Sequence, residues 1–269
     1  MRRLLCSVAI GASALPLVFG GSGAGALGAN RALIPANPHK RLPLSGSTLE
    51  STNWSGYVVT SSSHSITAET TTFTVPSASA PPSGFASTWG GIGGYDSGSL
   101  VQAGISEETS QPNYFAWYEL LPAAESPISG CSGVSACTVS PGDTVTVAIH
   151  QVASTKWSIS LSDQGKWSWQ RTKSYSASRS SAARASAEWI LEAPTVGGHQ
   201  TTLPQLSTAL FGPTSTFAKG GTTHKLAQGN PIKIVMVKRS GPREATPSGI
   251  ASDQQSFNDC AYSQTCPAP

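Results

Sequence analysis

The chain has 269 residues, with 14 Asp plus Glu, 17 Lys plus Arg and a formal net charge of +3, far below the roughly one-quarter charged residues of an ordinary domain. The positive sign comes from residues 1–45, which hold five basic groups and no acidic one; the remainder holds 12 basic groups against 14 acidic. Those 12 are scattered through the second half rather than gathered with aromatics into a patch, which argues against a nucleic-acid partner.

The N-terminus reads as a secretory signal over residues 1–26. Met1-Arg2-Arg3 is its charged start, Leu4 to Phe19 its apolar run, and Ala24-Gly25-Ala26 a small-residue cleavage site. Gly11, Ser13 and Pro16 interrupt the run, and no later segment approaches membrane-spanning length. The expected product is secreted, extracellular and free of the membrane once the signal is cleaved. Residues 27–50 read as a propeptide or linker, with three prolines and the basic cluster His39-Lys40-Arg41. A basic segment over an acidic domain is a natural inhibitor; a plain spacer is the alternative.

Residues 51–269 read as one β-rich domain. Strands are predicted at Trp54–Thr60, Ile66–Val75, Ser87–Ile92, Leu100–Ile105, Tyr114–Leu121, Thr144–Gln151, Trp157–Leu161, Trp167–Thr172, Ala187–Ala193 and Pro231–Val237, separated by turns such as Ser140-Pro141-Gly142-Asp143. Ala177–Ser186 alone could form an amphipathic helix. The pattern fits a single all-β antiparallel sandwich or barrel, expected as a monomer. Cys6 leaves with the signal, and Cys131, Cys137, Cys260 and Cys266 remain. Three connectivities are possible. The local pairs Cys131–Cys137 and Cys260–Cys266 are favoured, each adding about 2 kcal/mol by closing a short loop. Neither these spacings nor any His pair fits a zinc site, so no metal and no cofactor is expected.

Several catalytic patterns fail. Asp96-Ser97-Gly98 occurs once, whereas an aspartic dyad needs two such loops; it reads as a turn. None of the five histidines sits in a serine-triad context, and neither G-x-S-x-G nor H-E-x-x-H occurs. Asn53-Trp54-Ser55 fits a glycosylation sequon. Ser186 to Ala193 is more informative, because it sets two scarce carboxylates on an apolar strand. Alternation puts Glu188, Ile190 and Glu192 on one face. A carboxylate on a semi-apolar face is a group whose pKa can rise. The competing reading is an ordinary solvent-facing edge.

Five pieces recur in order: Trp54-Ser55-Gly56-Tyr57, Trp89-Gly90-Gly91-Ile92, Leu100-Val101-Gln102-Ala103-Gly104, Phe115-Ala116-Trp117-Tyr118-Glu119 and Ala187-Glu188-Trp189-Ile190-Leu191-Glu192. Together they resemble the glutamic peptidases, or eqolisins, from about Asn53 to the C-terminus. The resemblance implies a concanavalin-like or jelly-roll-like sandwich of two seven-stranded antiparallel sheets, acting on protein or peptide substrates. It implies Gln102 and Glu192 as the catalytic pair, Glu188 in support, and Trp54, Trp89, Trp117 and Glu119 lining the cleft. A carboxylate base still ionises in acid, where a His base would be protonated. Fungal members carry acidic residues where this chain has Gly93, Ser106 and Phe115. Losing those like charges around Glu192 is expected to make the acid optimum less extreme. Two other readings compete. One is a glycoside hydrolase using Glu119 and Glu192. The other is a carbohydrate-binding module stacking sugars on Trp54, Trp89 and Trp117. Such sandwiches host all three functions.

Overall fold

The computed structural model describes residues 48–109, 113–238 and 241–269. The segment read as a signal peptide and residues 27–47 of the segment read as a propeptide or linker lie outside these. The longer strands are β1 (Thr48–Ser51), β2 (Trp54–Thr60), β3 (Ile66–Thr74), β4 (Phe85–Gly93), β5 (Leu100–Glu108), β6 (Asn113–Leu120), β7 (Thr144–Ala153), β8 (Lys156–Asp163) and β9 (Trp167–Ser174). After the short helix α1 (Ala177–Ala183) come β10 (Ser186–Glu192), β11 (Ala209–Lys219), β12 (Thr222–Lys225), β13 (Ile232–Val237), β14 (Arg243–Pro247) and β15 (Phe257–Ala261). Ser176 caps α1 through its side chain, which stops the helix from running further towards β9.

A front sheet runs β13-β2-β10-β4-β5-β6 in antiparallel register. A back sheet runs β9-β8-β7-β3-β11. The all-β sandwich expected from the sequence is present, but its two sheets are not separate. β11 pairs with β15, β15 with β14, and β14 with β13, so the strands form one continuous 17-stranded ladder. The pair β1–β13 is parallel.

Period-2 alternation explains the core. Val145, Val147 and Ile149 of β7 and Trp157, Ile159 and Leu161 of β8 face Val101, Ala103 and Ile105 of β5 and Trp189 of β10 across the two sheets. Phe211 stacks on Phe257 at 4.6 Å between centroids, an arrangement that contributes about 1 kcal/mol beyond burial. β10 is buried at every residue, because its other face is covered too. That second face carries a separate apolar cluster of Trp54, Val58, Trp89, Trp117, Ile190 and Ile234.

All ten strands expected from the sequence are present, and α1 lies within the expected helical stretch. Of the longer strands, five were not expected: β1, β11, β12, β14 and β15. β11 contains Gly212-Pro213, which reads as a turn; in the structure it is a register shift between Phe211 and Ser215 within one strand, as Pro in a sheet requires. The local disulfides form as expected, Cys131–Cys137 and Cys260–Cys266.

Candidate active site

Residues paired across antiparallel strands share a face, so the register of β2, β10, β4, β5 and β6 sets out the site in three rows. The first is Val58, Glu188, Gly91, Gln102 and Glu119; the second is Gly56, Ile190, Trp89, Gly104 and Trp117; the third is Trp54, Glu192, Ser87, Ser106 and Phe115. All the residues expected at the site therefore stand on one face of the front sheet. Within it they fall into two polar groups with Trp89 between them.

The first group surrounds Glu192. Trp89 Nε1 donates to its Oε2 at 2.8 Å, and Asn53 Nδ2 donates to its Oε1 at 3.1 Å. Trp54 packs edge-on against Trp89, 5.2 Å between centroids. Its N–H makes no hydrogen bond of ordinary geometry but lies close enough to Glu192 to favour the charged form. Burial nevertheless dominates and pushes Glu192 up to about 7, the three N–H groups only partly offsetting it.

The second group is Gln102 with Glu119. Gln102 Nε2 donates to Glu119 Oε2 at 2.5 Å. Burial, opposed by this bond and reinforced by the charges of Glu125 and Glu192, pushes Glu119 up to about 9. Two carboxyls on one face are thus driven apart, Glu192 ionising before Glu119. No hydrogen bond joins Gln102 to Glu192 among the described residues. Glu188 shares the row of Gln102 but is 0% exposed, whereas Glu192 is 8% and Gln102 4% exposed. Glu188 can therefore support the site from beneath but cannot meet a ligand. Burial raises it well above the ordinary carboxylate range, partly offset by Ser186 and the backbone of Tyr95 and Gly93.

Sequence reasoning missed Asn53, read only as part of a sequon. Its side chain is buried and bonded to Glu192, so it is not a free glycan acceptor in the folded protein. Its position directly before the Trp54 piece was the one available signal. Trp54, Trp89 and Trp117 are 1%, 0% and 1% exposed, which overturns the sugar-stacking platform: such a platform must present ring faces to solvent. The departures at the site also have local reasons. Gly93 adopts φ +93, and a Cβ there would lie 2.2 Å from the Ser99 carbonyl oxygen, so this backbone admits no acidic side chain. Ser106 bonds Ser87 at 3.1 Å, and Phe115 packs on the tryptophan cluster. Asp96-Ser97-Gly98 lies in a bend outside these rows.

Trp89→Phe keeps an aromatic side chain, though a smaller one, and removes the N–H donor. The Glu192 carboxylate then loses its strongest stabilising partner, and its pKa rises further. The acid limb of any activity that needs ionised Glu192 is expected to move to higher pH. A profile superimposable on wild type would show that the bond does not tune this group.

The fold matches several solved peptidases. Scytalido-glutamic peptidase with a transition state analog inhibitor aligns with TM-score 0.63 and 20% identity, over 78% of this chain and 98% of that one. SCP-B, a member of the eqolisin family in complex with the tripeptide Ala-Ile-His, aligns with TM-score 0.60 and 19% identity over 78% and 98%. Aspergilloglutamic peptidase from Aspergillus niger aligns with TM-score 0.52 and 21% identity over 66% and 99%. No curated protein sequence matches the chain. The profile of the peptidase A4 family matches residues 52–257, and the chain belongs to that family of glutamic endopeptidases.

Proposed function

We propose that this chain is a secreted acid endopeptidase in which Glu192 and Gln102 carry the chemistry. The observation that carries the reading is Glu192 itself: a carboxylate on an apolar sheet face, gripped by Asn53 and Trp89 and pushed up to about 7 by burial. As carboxylate it takes a proton from water attacking the scissile carbonyl; as acid it returns that proton to the leaving amine. Gln102 supplies an amide N–H to the developing oxyanion. Glu188 supports β10 from within, Trp54, Trp89 and Trp117 pack behind Glu192, and Glu119 backs Gln102, so that Glu192 and Gln102 are the least deeply buried of these side chains.

The pH range follows from the sign of the Glu192 shift. The missing carboxylates at Gly93, Ser106 and Phe115 would by themselves lower Glu192. Burial raises it, and a base with a raised pKa needs a higher pH to ionise. The optimum is expected above about pH 4, and a peak below about pH 2.5 would contradict this.

The test is hydrolysis of a denatured protein across roughly pH 2 to 7. Wild type is expected to cleave, and Glu192→Gln and Gln102→Ala to lose at least about 100-fold in turnover while remaining folded. Cleavage retained in folded Glu192→Gln would remove it as the catalytic carboxylate.

Residues 1–26 are proposed as the export signal and residues 27–50 as a prosegment ahead of the peptidase domain, which works as a monomer. The chain enters the domain through β1, whose Ser51 donates to Asn53 Oδ1. The basic cluster at His39-Lys40-Arg41 therefore precedes the residue that holds Glu192 by only about a dozen positions. That closeness, with the excess of acidic groups in residues 42–155, supports an inhibitory prosegment. Added in trans as a peptide, residues 27–50 should slow the processed enzyme; no slowing would leave the spacer reading.

A further inference from the structure

Gln102 and Glu119 leave one oxygen each without a partner. The Gln102 amide nitrogen donates to Glu119 Oε2, but Gln102 Oε1 and Glu119 Oε1 are both buried and make no hydrogen bond of ordinary geometry; the Glu125 backbone N–H near the Glu119 carboxyl is the weakest of the influences on it. A buried oxygen left in this condition is costly, and here two occur on adjacent, directly paired residues. A single proton on Glu119 Oε1 satisfies both. The acid O–H then donates to Gln102 Oε1, while Gln102 N–H donates to Glu119 Oε2. A neutral carboxyl and a primary carboxamide have the complementary donor and acceptor sets for such a two-bond ring.

We infer that Glu119 works as a neutral acid, closing a two-bond ring with the Gln102 carboxamide and so fixing which way that amide points. This makes Glu119 a positioning residue for Gln102, and the inference rests on the peptidase reading above. The ring uses one N–H of the amide and leaves the other to meet the oxyanion. Without it, the amide could turn over and present its oxygen to the developing negative charge. An ionised Glu119 offers no donor, so the ring exists only in the protonated form.

The surroundings favour that form. The charged groups acting on Glu119 are Glu125, just beyond β6, and Glu192 on β10, both acidic. Glu188 stands in the same row on β10. Ionised Glu192 therefore helps keep the proton on Glu119, so the base and the acid of the site are held in opposite states together.

The test compares Glu119→Gln with Glu119→Leu at a mildly acid pH. A glutamine at this position can close the same ring, donating its own N–H to Gln102 Oε1, whereas leucine fills the space and bonds nothing. Glu119→Leu is expected to lose about 100-fold in kcat with KM within about threefold, and Glu119→Gln to recover at least tenfold of that loss. A purely structural role would be served by leucine at least as well as by glutamine. Equal kcat in the two variants would therefore overturn the inference. Should the leucine variant not fold, Glu119→Asp keeps the carboxyl but withdraws it by one methylene, and it is expected to show the same kcat loss.

A second readout is independent of turnover. The side-chain amide N–H pair of Gln102 is identified in 15N spectra by its disappearance in Gln102→Ala. It is expected to exchange slowly with solvent in wild type and Glu119→Gln, and at least about tenfold faster in Glu119→Leu or Glu119→Asp. Equal exchange in all would overturn the ring. If the wild type cleaves no protein, the peptidase reading fails, and the exchange experiment still decides on the ring.

Discussion

The melting temperature should be highest near pH 4 and fall by more than about 10 °C by pH 8, because the fold buries carboxyls that it cannot afford to ionise. Glu69 and Glu107 lie between the sheets at 0% exposure, with no hydrogen bond of ordinary geometry to any of their four side-chain oxygens. Burial raises Glu69 well above the ordinary range, helped by the charge of Glu188. Burial pushes Glu107 up to about 8 against the pull of Thr88 and its own backbone. It pushes Asp259 up to about 8 as well, opposed by Ser55, Lys233 and the Cys260 backbone. Each folded-state pKa is above its unfolded value. The native state then holds more protons than the unfolded chain from about pH 4 upwards, and stability must fall as pH rises. The stabilisation is complete below the unfolded values and is lost as pH climbs towards about 8. At about 1.4 kcal/mol per unit, Glu107 alone accounts for a loss on the order of 5 kcal/mol. Total stabilities are typically about 5–15 kcal/mol, so a few such groups suffice to unfold the protein at neutral or alkaline pH. Asp143 runs the other way, since burial, the largest single influence on it, is outweighed by Lys166, the Ser140 backbone and Asp163 acting together, but it lies near the surface where solvent screens the effect.

Glu107→Gln isolates the cause. The amide has the same shape and no proton to lose. Its melting temperature should match wild type within a few degrees at pH 4 and exceed it at pH 8. Calorimetry at the two pH values checks this. A variant no more stable than wild type at pH 8, or a wild-type melting temperature flat from pH 4 to 8, would remove ionisation of buried carboxyls as the alkaline limit. The same groups fit the acid range proposed for this enzyme: in acid, carboxyls placed in the interior stay neutral.

Alternation made the front sheet readable. The period-2 spacing of β10 put Glu188 and Glu192 on one face before any register was known, and the structure keeps them there. What alternation cannot give is which strands lie side by side. Gln102 and Glu119 are 17 residues apart and meet because β5 and β6 form an antiparallel pair. Asn53 and Glu192 are 139 residues apart, so nothing local in either segment announces the bond. The same holds for Glu69 and Glu107: each sits among polar neighbours in sequence, and only the packing of one sheet on the other buries them. β14 and β15 were missed because neither shows an apolar alternation: β14 has one aliphatic residue, Ala245, and ends in Pro247, and β15 sets Asn258 and Asp259 directly after Phe257. Those two strands fuse the sheets at one side.

Gly56→Ala should cost at least about 3 kcal/mol, or roughly 10 °C in melting temperature, even though it adds one methyl group. Gly56 lies in the middle of β2 at φ +135, a conformation that L side chains rarely adopt, and a Cβ there would sit 2.0 Å from the Trp189 carbonyl oxygen. That oxygen belongs to β10, the strand paired with β2 along its whole length, so no side-chain rotation can relieve the clash. β2 must lift from β10, and its first residue, Trp54, faces Glu192 directly. Asn53 moves with it. Any molecules that still fold should therefore hold Glu192 with fewer donors and turn over more slowly than wild type. Gly98→Ala is the control, since nothing lies within 4 Å of its added Cβ, and its effect should stay within about 0.5 kcal/mol. Denaturant melts of the two variants, read beside their cleavage rates, give the comparison. Equal stability of Gly56→Ala and wild type would mean that β2 can shift along β10 without loss, and that the grip of Asn53 and Trp54 on Glu192 is not set by this glycine.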